Sequence, residues 1–219
     1  MLRRDLLALT ALAPVTAFGA PPSLREAARD AWLYALPLIE TAGARTEAMR
    51  LAPPNRIVGA TALTTVDTQW VTTPNNDTLY ARAWLDLASG PVTVTLPPSG
   101  DRYLSVALMD MYSNNFAVLG TRTTGRDGAV VTLAHPAAAV REPLTLRAPT
   151  RWVWLLARTL VDGPRDLPAA VEVQSRIAVA GNPAPVPPKQ AERNAPWAAY
   201  FASAQALLDE SPPPPTDLA

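Results

Sequence analysis

T-P-N-N-D-T-L-Y-A-R-A-W-L-D-L, residues 73–87, is the stretch on which the fold reading turns. A polar cluster led by proline (Pro74, Asn75, Asn76, Asp77) opens directly into a run that alternates without interruption. Leu79, Ala81, Ala83, Leu85 and Leu87 fall on one side; Thr78, Tyr80, Arg82, Trp84 and Asp86 fall on the other. Successive side chains of a strand point to opposite faces, so the alternation predicts a half-buried strand, and the amide-rich cluster before it predicts a tight turn. A rim of amides and a carboxylate would then stand beside a face carrying Tyr, Arg, Trp and Asp, where a polar ligand could bind.

The same period recurs downstream. It predicts strands over 77–87, 92–96, 103–111, 116–119, 130–133, 144–146 and 152–160. Their connections hold turn residues such as Ser89-Gly90-Pro91, Pro97-Pro98-Ser99-Gly100-Asp101 and Thr124-Gly125-Arg126-Asp127-Gly128. Short strands at this spacing suit an antiparallel sandwich or jelly roll better than a parallel α/β sheet. Helices flank them. Ser23-Leu24-Arg25-Glu26 fits a capping box opening a helix, which Pro37 should kink or restart before it reaches Met49. A short helix is predicted over 166–176 and an amphipathic one over 190–209, with a proline-rich connector at 182–188 between them. The fold class expected is therefore α+β, mainly β: a sandwich or jelly-roll-like core with N-terminal and C-terminal helices.

Composition narrows the function classes. The 219 residues carry 19 Lys and Arg against 19 Asp and Glu, so no bulk charge draws the chain to nucleic acid or anionic lipid. Cysteine is absent and there is one histidine, which removes disulfides, thiolate chemistry and a histidine-rich metal site within the chain. No phosphate-cradling glycine loop is present, because 120–128 lacks the lysine and the following helix. The 24 prolines also fit short strands and corners rather than a helical bundle. No cofactor and no metal are expected.

Residues 1–20 read as an export signal: Arg3 and Arg4, an apolar run over 6–13, then small residues at Ala17, Gly19 and Ala20. Arg3-Arg4-Asp5-Leu6-Leu7 is similar to a twin-arginine signal, although Leu2 stands where Ser or Thr is usual; an ordinary secretory signal and an uncleaved anchor are the other readings. The mature chain should carry no transmembrane span and should lie in the bacterial periplasm or outside the cell. Residues 21–210 are expected to form one β-rich domain and 211–219 a proline-rich tail.

Several ordered blocks carry a resemblance. They are Pro74-Asn75-Asn76-Asp77-Thr78-Leu79-Tyr80, Ala83-Trp84-Leu85-Asp86-Leu87, Asp101-Arg102-Tyr103, Met109-Asp110-Met111-Tyr112, Gly120-Thr121-Arg122-Thr123-Thr124-Gly125 and Arg158-Thr159-Leu160-Val161-Asp162-Gly163. Together they resemble the bacterial domain of unknown function 1254 family. The resemblance implies a β-rich fold with helical flanks, and no agreed catalytic residues. Many members continue into a domain of unknown function 1214, which would begin at the proline tail here, so a separately encoded partner carrying that domain is expected.

The candidate ligand-binding residues are Asn75, Asn76, Asp77, Tyr80, Arg82, Asp110, Tyr112, Asn114 and Arg158. Asn75, Asn76 and Asp77 could hold a hard cation or sugar hydroxyls, or simply close their own turn. Tyr80, Arg82 and Trp84 could stack on a ligand, or lie beneath the last helix. Arg158 shares a side with Trp152, Trp154, Leu156 and Leu160, and a guanidinium on an apolar row needs a partner. Pairing with Asp77, Asp86 or Asp110 would join the blocks into one polar centre. The function expected is a binding or assembly module. The alternative is an enzyme, or half of one, using Asp, Tyr and Arg on a small polar or carbohydrate-like substrate.

Overall fold

The computed structural model describes residues 23–67, 75–138 and 145–213. The expected export signal, Thr73 and Pro74 of the opening stretch, and 214–219 of the tail lie outside the described residues.

Helix α1 (Leu24–Ala48) starts on the capping box: Ser23 Oγ accepts from Glu26 N, and Glu26 Oε2 accepts from Ser23 N at 2.8 Å. It runs through Pro37 as one helix, neither ending nor restarting there. An interior proline costs a helix about 3 kcal/mol. Ala35, Leu38, Ile39 and Ala42, buried on both sides of it, supply the packing that offsets this.

Next come β1 (Val58–Gly59), β2 (Thr78–Asp86), β3 (Val92–Leu96), β4 (Leu104–Met109), β5 (Asn115–Gly120), β6 (Ala129–Ala134), β7 (Thr145–Arg147) and β8 (Trp152–Leu160). After them follow α2 (Leu167–Ser175), β9 (Ala178–Ala180) and α3 (Trp197–Glu210). The strands form a five-stranded sheet in the order β1-β2-β8-β4-β5 and a four-stranded sheet in the order β7-β6-β3-β9. One core joins them: Ala81, Ala83, Leu85, Val106, Leu108, Val153 and Leu155 from the first meet Val92, Val94, Leu96, Val131 and Leu133 from the second. The alternation in residues 79–87 thus separates core from outer face as read from the sequence. The fold is α+β, a two-sheet sandwich with helices at both ends of the chain.

Three details differ from the sequence reading. Strands β1 and β9 have two and three residues, too short to leave a periodic signal. Strand β7 pairs parallel to β6, so the sandwich is not wholly antiparallel. Helix α3 begins at Trp197 rather than at 190, because Pro196 caps it and disfavours helical backbone in the residue before it.

Among the described residues no helix is long and apolar enough to cross a membrane.

Candidate functional site

Strand β2 lies antiparallel to β8 along its whole length, with Tyr80 opposite Arg158, Arg82 opposite Leu156, Trp84 opposite Trp154 and Asp86 opposite Trp152. These side chains lie on the outer face of the larger sheet. Helices α1 and α3 cover one half of it. Trp84 and Trp152 are buried there with Leu38, Ile39, Tyr200 and Leu207, and Trp154 packs at the margin. The Tyr200 hydroxyl donates to Trp32 O at 2.8 Å, holding the two helices together.

Tyr80, Arg82, Leu156 and Arg158 occupy the other half, outside that helix-covered cluster. They form a two-by-two patch with the guanidiniums on one diagonal and Tyr80 and Leu156 on the other. Diagonal neighbours of this kind lie about 7–8 Å apart, within reach of long side chains. The Arg158 guanidinium rests 5.7 Å from the centre of the Tyr80 ring. A cavity of about 470 Å³ opens beside the patch, walled by residues 58–65 with Tyr80, Arg82 and Leu156. A second, of about 530 Å³, opens toward α1 between Ala44, Ala48, Leu51, Trp84 and Trp154, and Arg82 lines this one too. Arg82 therefore stands where two cavities adjoin.

The predicted turn supports this face. Asn75 Oδ1 accepts from Asp77 N at 2.9 Å, an Asx turn, and Asn75 N donates to the Tyr80 hydroxyl at 3.2 Å. Asn75, Asn76 and Asp77 are exposed. The carbonyl of Asp77 accepts from Val161 N at 2.8 Å, which ties the turn to the end of β8.

The expected meeting of Asp77, Asp110 and Arg158 does not occur. Arg158 sits opposite Ser105 of β4, whereas Asp110 follows Met109, which pairs with Trp154. Five residues of strand, roughly 16 Å, separate the two levels. Asp110 instead closes its own loop: Oδ1 accepts from Tyr112 N and Asn114 N, each at 2.9 Å, and Oδ2 accepts from Asn114 Nδ2 at 3.2 Å. The Tyr112 hydroxyl donates to Ser211 O at 2.8 Å. Asp110, Tyr112 and Asn114 therefore hold the end of the sheet and the C-terminal segment. Arg158 makes no ion pair among the described residues, and Asp86 lies at the far end of β8 from it.

The polar centre of the fold is one the sequence reading missed. Arg45, 1 % exposed, bonds to Glu210 Oε2 at 3.1 Å and lies 4.5 Å over the Trp152 ring. Arg151 forks onto Asp86, and the Trp152 indole donates to Glu210 Oε1 at 2.9 Å. Burial pushes the Arg45 guanidinium below its ordinary range, with Glu210 opposing; hydrogen bonding to Asp86 pushes Arg151 up. The signal was there: Arg45 continues the row Leu38, Ala42 at helical spacing, a cation on an apolar stripe. This network joins α1, β2, β8 and α3 and lies within packing, so it serves the fold. A second fork, Arg102 on Asp166, ties the start of β4 to the segment before α2 and holds the Asp166 carboxyl down at about 2.

The fold and this face define a two-sheet sandwich, capped on one side by two helices, with two cavities on the same face that Arg82 lines. Residues 54–181 match the family described as Protein of unknown function (DUF1254), and the chain belongs to that family. Among solved structures it is similar to the VPA0106 protein from Vibrio parahaemolyticus, with TM-score 0.66 and 22% identity over 84% of this chain and 46% of that one. It also aligns with an uncharacterized protein from Burkholderia cenocepacia, at TM-score 0.36 and 16% identity over 88% of this chain and 52% of the other. The chain thus spans about half the length of either. Comparison with curated proteins returned no match.

Proposed function

We propose that the chain is an exported binding module that holds a small anionic ligand in the groove centred on Arg82. The observation that carries this reading is a cavity of about 470 Å³ lined by Tyr80, Arg82 and Leu156 on the half of the sheet outside the helical cover, with Arg158 on the same face opposite Tyr80. Pockets of 300–1,000 Å³ with an apolar lining and a few fixed polar groups are the usual small-molecule sites. Guanidinium forks bind carboxylates and phosphates by paired, charge-assisted hydrogen bonds. The Asp–Tyr–Arg enzyme reading has less support, because Arg158 stands opposite Ser105, about five residues of strand from Asp110. The test is calorimetric titration of the full chain with a panel of small carboxylates and phosphates. Binding that disappears in the Arg82→Gln/Arg158→Gln variant, with its melting temperature retained, supports the proposal. Undiminished binding in that variant, or no binding by any member, counts against it.

Assembly with a separately encoded partner domain is a second reading, with an observation of its own. The helical layer carries Leu33 at 52% exposure and Trp197 at 77%, large apolar side chains outside any core. Light scattering of the purified chain, alone and mixed with a candidate second domain, measures it; an unchanged mass in the mixture argues against it.

A further inference from the structure

The cavity on the α1 side of Arg82 differs in kind from the one along residues 58–65. Its lining includes a stacked indole pair, Trp84 and Trp154, with ring centres 5.8 Å apart and planes 9° from parallel. Trp84 is 3 % exposed and locked in the helix-covered core, so it fixes the plane in which Trp154 lies. Ala44 and Ala48, with short side chains, and Leu51, 59 % exposed, line it as well. Short side chains beside an aromatic pair leave room for a further ring. Two other charged residues line the cavity, Glu47 and Arg50, but they pair with each other at 2.9 Å out in solvent. Arg82 lines the same cavity.

We infer that this cavity is a ring-binding subsite and that the ligand is an aryl carboxylate, its ring on Trp154 and its carboxylate on Arg82. The inference rests on the binding reading above and specifies its ligand. An inorganic phosphate or an aliphatic dicarboxylate would engage the guanidinium alone and leave the indole pair to water. An aromatic acid uses both. Offset ring stacking contributes the equivalent of about three- to tenfold in affinity, and a charge-assisted contact to Arg82 roughly ten- to hundredfold.

Titration of the full chain with benzoate, 3-phenylpropionate, succinate and inorganic phosphate, followed by calorimetry and tryptophan fluorescence, tests this. The aryl acids should bind about tenfold more tightly than succinate or phosphate and should perturb indole emission. Trp154→Leu should erase that preference and Trp154→Phe should keep most of it. Leu51→Asp, at an exposed position, should weaken the aryl acids without disturbing the fold. Equal affinities for all four anions, unchanged by Trp154→Leu, would overturn the ring subsite while leaving anion binding at Arg82 intact. Failure of every anion to bind would overturn both.

Discussion

Arg151 lies in a two-point fork on Asp86, Nε to Oδ1 and Nη2 to Oδ2, both at 2.7 Å, with the Asp86 side chain wholly out of solvent. Asp86 closes β2, and its Oδ1 also accepts from Ala88 N, so the pair decides where the strand stops and the next turn begins. Deleting the guanidinium leaves a buried carboxylate without its cation, a change that costs about 3 kcal/mol. Arg151→Ala should therefore lower the unfolding free energy by about that amount in urea titration. A loss below about 1 kcal/mol would mean that water takes the place of the guanidinium.

Glu210 serves three groups at once: Arg45, Arg151 and the Trp152 indole. Its removal strands the buried Arg45, so Glu210→Gln should be strongly destabilising. Arg45→Met/Glu210→Gln should recover part of that loss, because the cation then goes with the anion. A double-mutant cycle should give a coupling of more than about 1 kcal/mol. Additive losses would show that the two residues act separately.

Asp166 supplies the acid dependence. Its carboxyl is lowered from the ordinary 3.8 to about 2, first by the hydrogen bonds from Arg102 and then by that from Asp162 N. A carboxyl depressed in the folded state contributes stability that is fully present above its unfolded value and is lost as the pH falls through the folded one. The stability gap between the parent chain and Asp166→Asn should hold constant above about pH 5 and close between about pH 4 and 2. Denaturation curves across that range check it, and a gap that persists at pH 2 contradicts the assignment.

The parts that could be read in the sequence share a cause. Residues 79–87 alternate because one sheet face is dry, and Ser23 to Glu26 fit a capping box because helix ends need local partners. Both are local rules. What escaped was set by register between distant strands. Ser105 rather than Asp110 stands beside Arg158, and only the pairing of β4 with β8 decides that. Arg45 with Glu210 spans 165 residues of chain, so neither end announces the other. Half of the candidate site was visible, since Tyr80, Arg82 and Arg158 do share a face; the lining by Ala44, Ala48 and Leu51 was not, because it needs the placement of α1.

Export can be tested from residues Arg3 and Arg4 alone. A charge-only signal tolerates lysine in a basic region, whereas a twin-arginine signal depends on the arginine pair itself. Arg3→Lys/Arg4→Lys should leave the chain in the cytoplasm, as read by fractionation, while the parent appears in the periplasm. Retained export in the variant would assign an ordinary secretory route, and cytoplasmic parent protein would remove the export reading altogether.

The opening stretch poses a last question, whether its turn holds the fold or a ligand. Asn75 is the residue to change, since its Oδ1 closes the turn and its N–H reaches the Tyr80 hydroxyl beneath Arg158. Asn75→Ala removes the side-chain acceptor from an exposed turn and should cost about 1 kcal/mol of stability. Tyr80→Phe keeps the ring under the guanidinium and deletes only the hydroxyl, so stability should stay within about 0.5 kcal/mol. If the turn serves the groove by positioning Tyr80, both variants should weaken anion binding severalfold even where the melting temperature barely moves. If it serves the fold alone, Asn75→Ala should lower the melting temperature with the affinity unchanged, and Tyr80→Phe should alter neither. Thermal melts paired with the same calorimetric titrations separate the two.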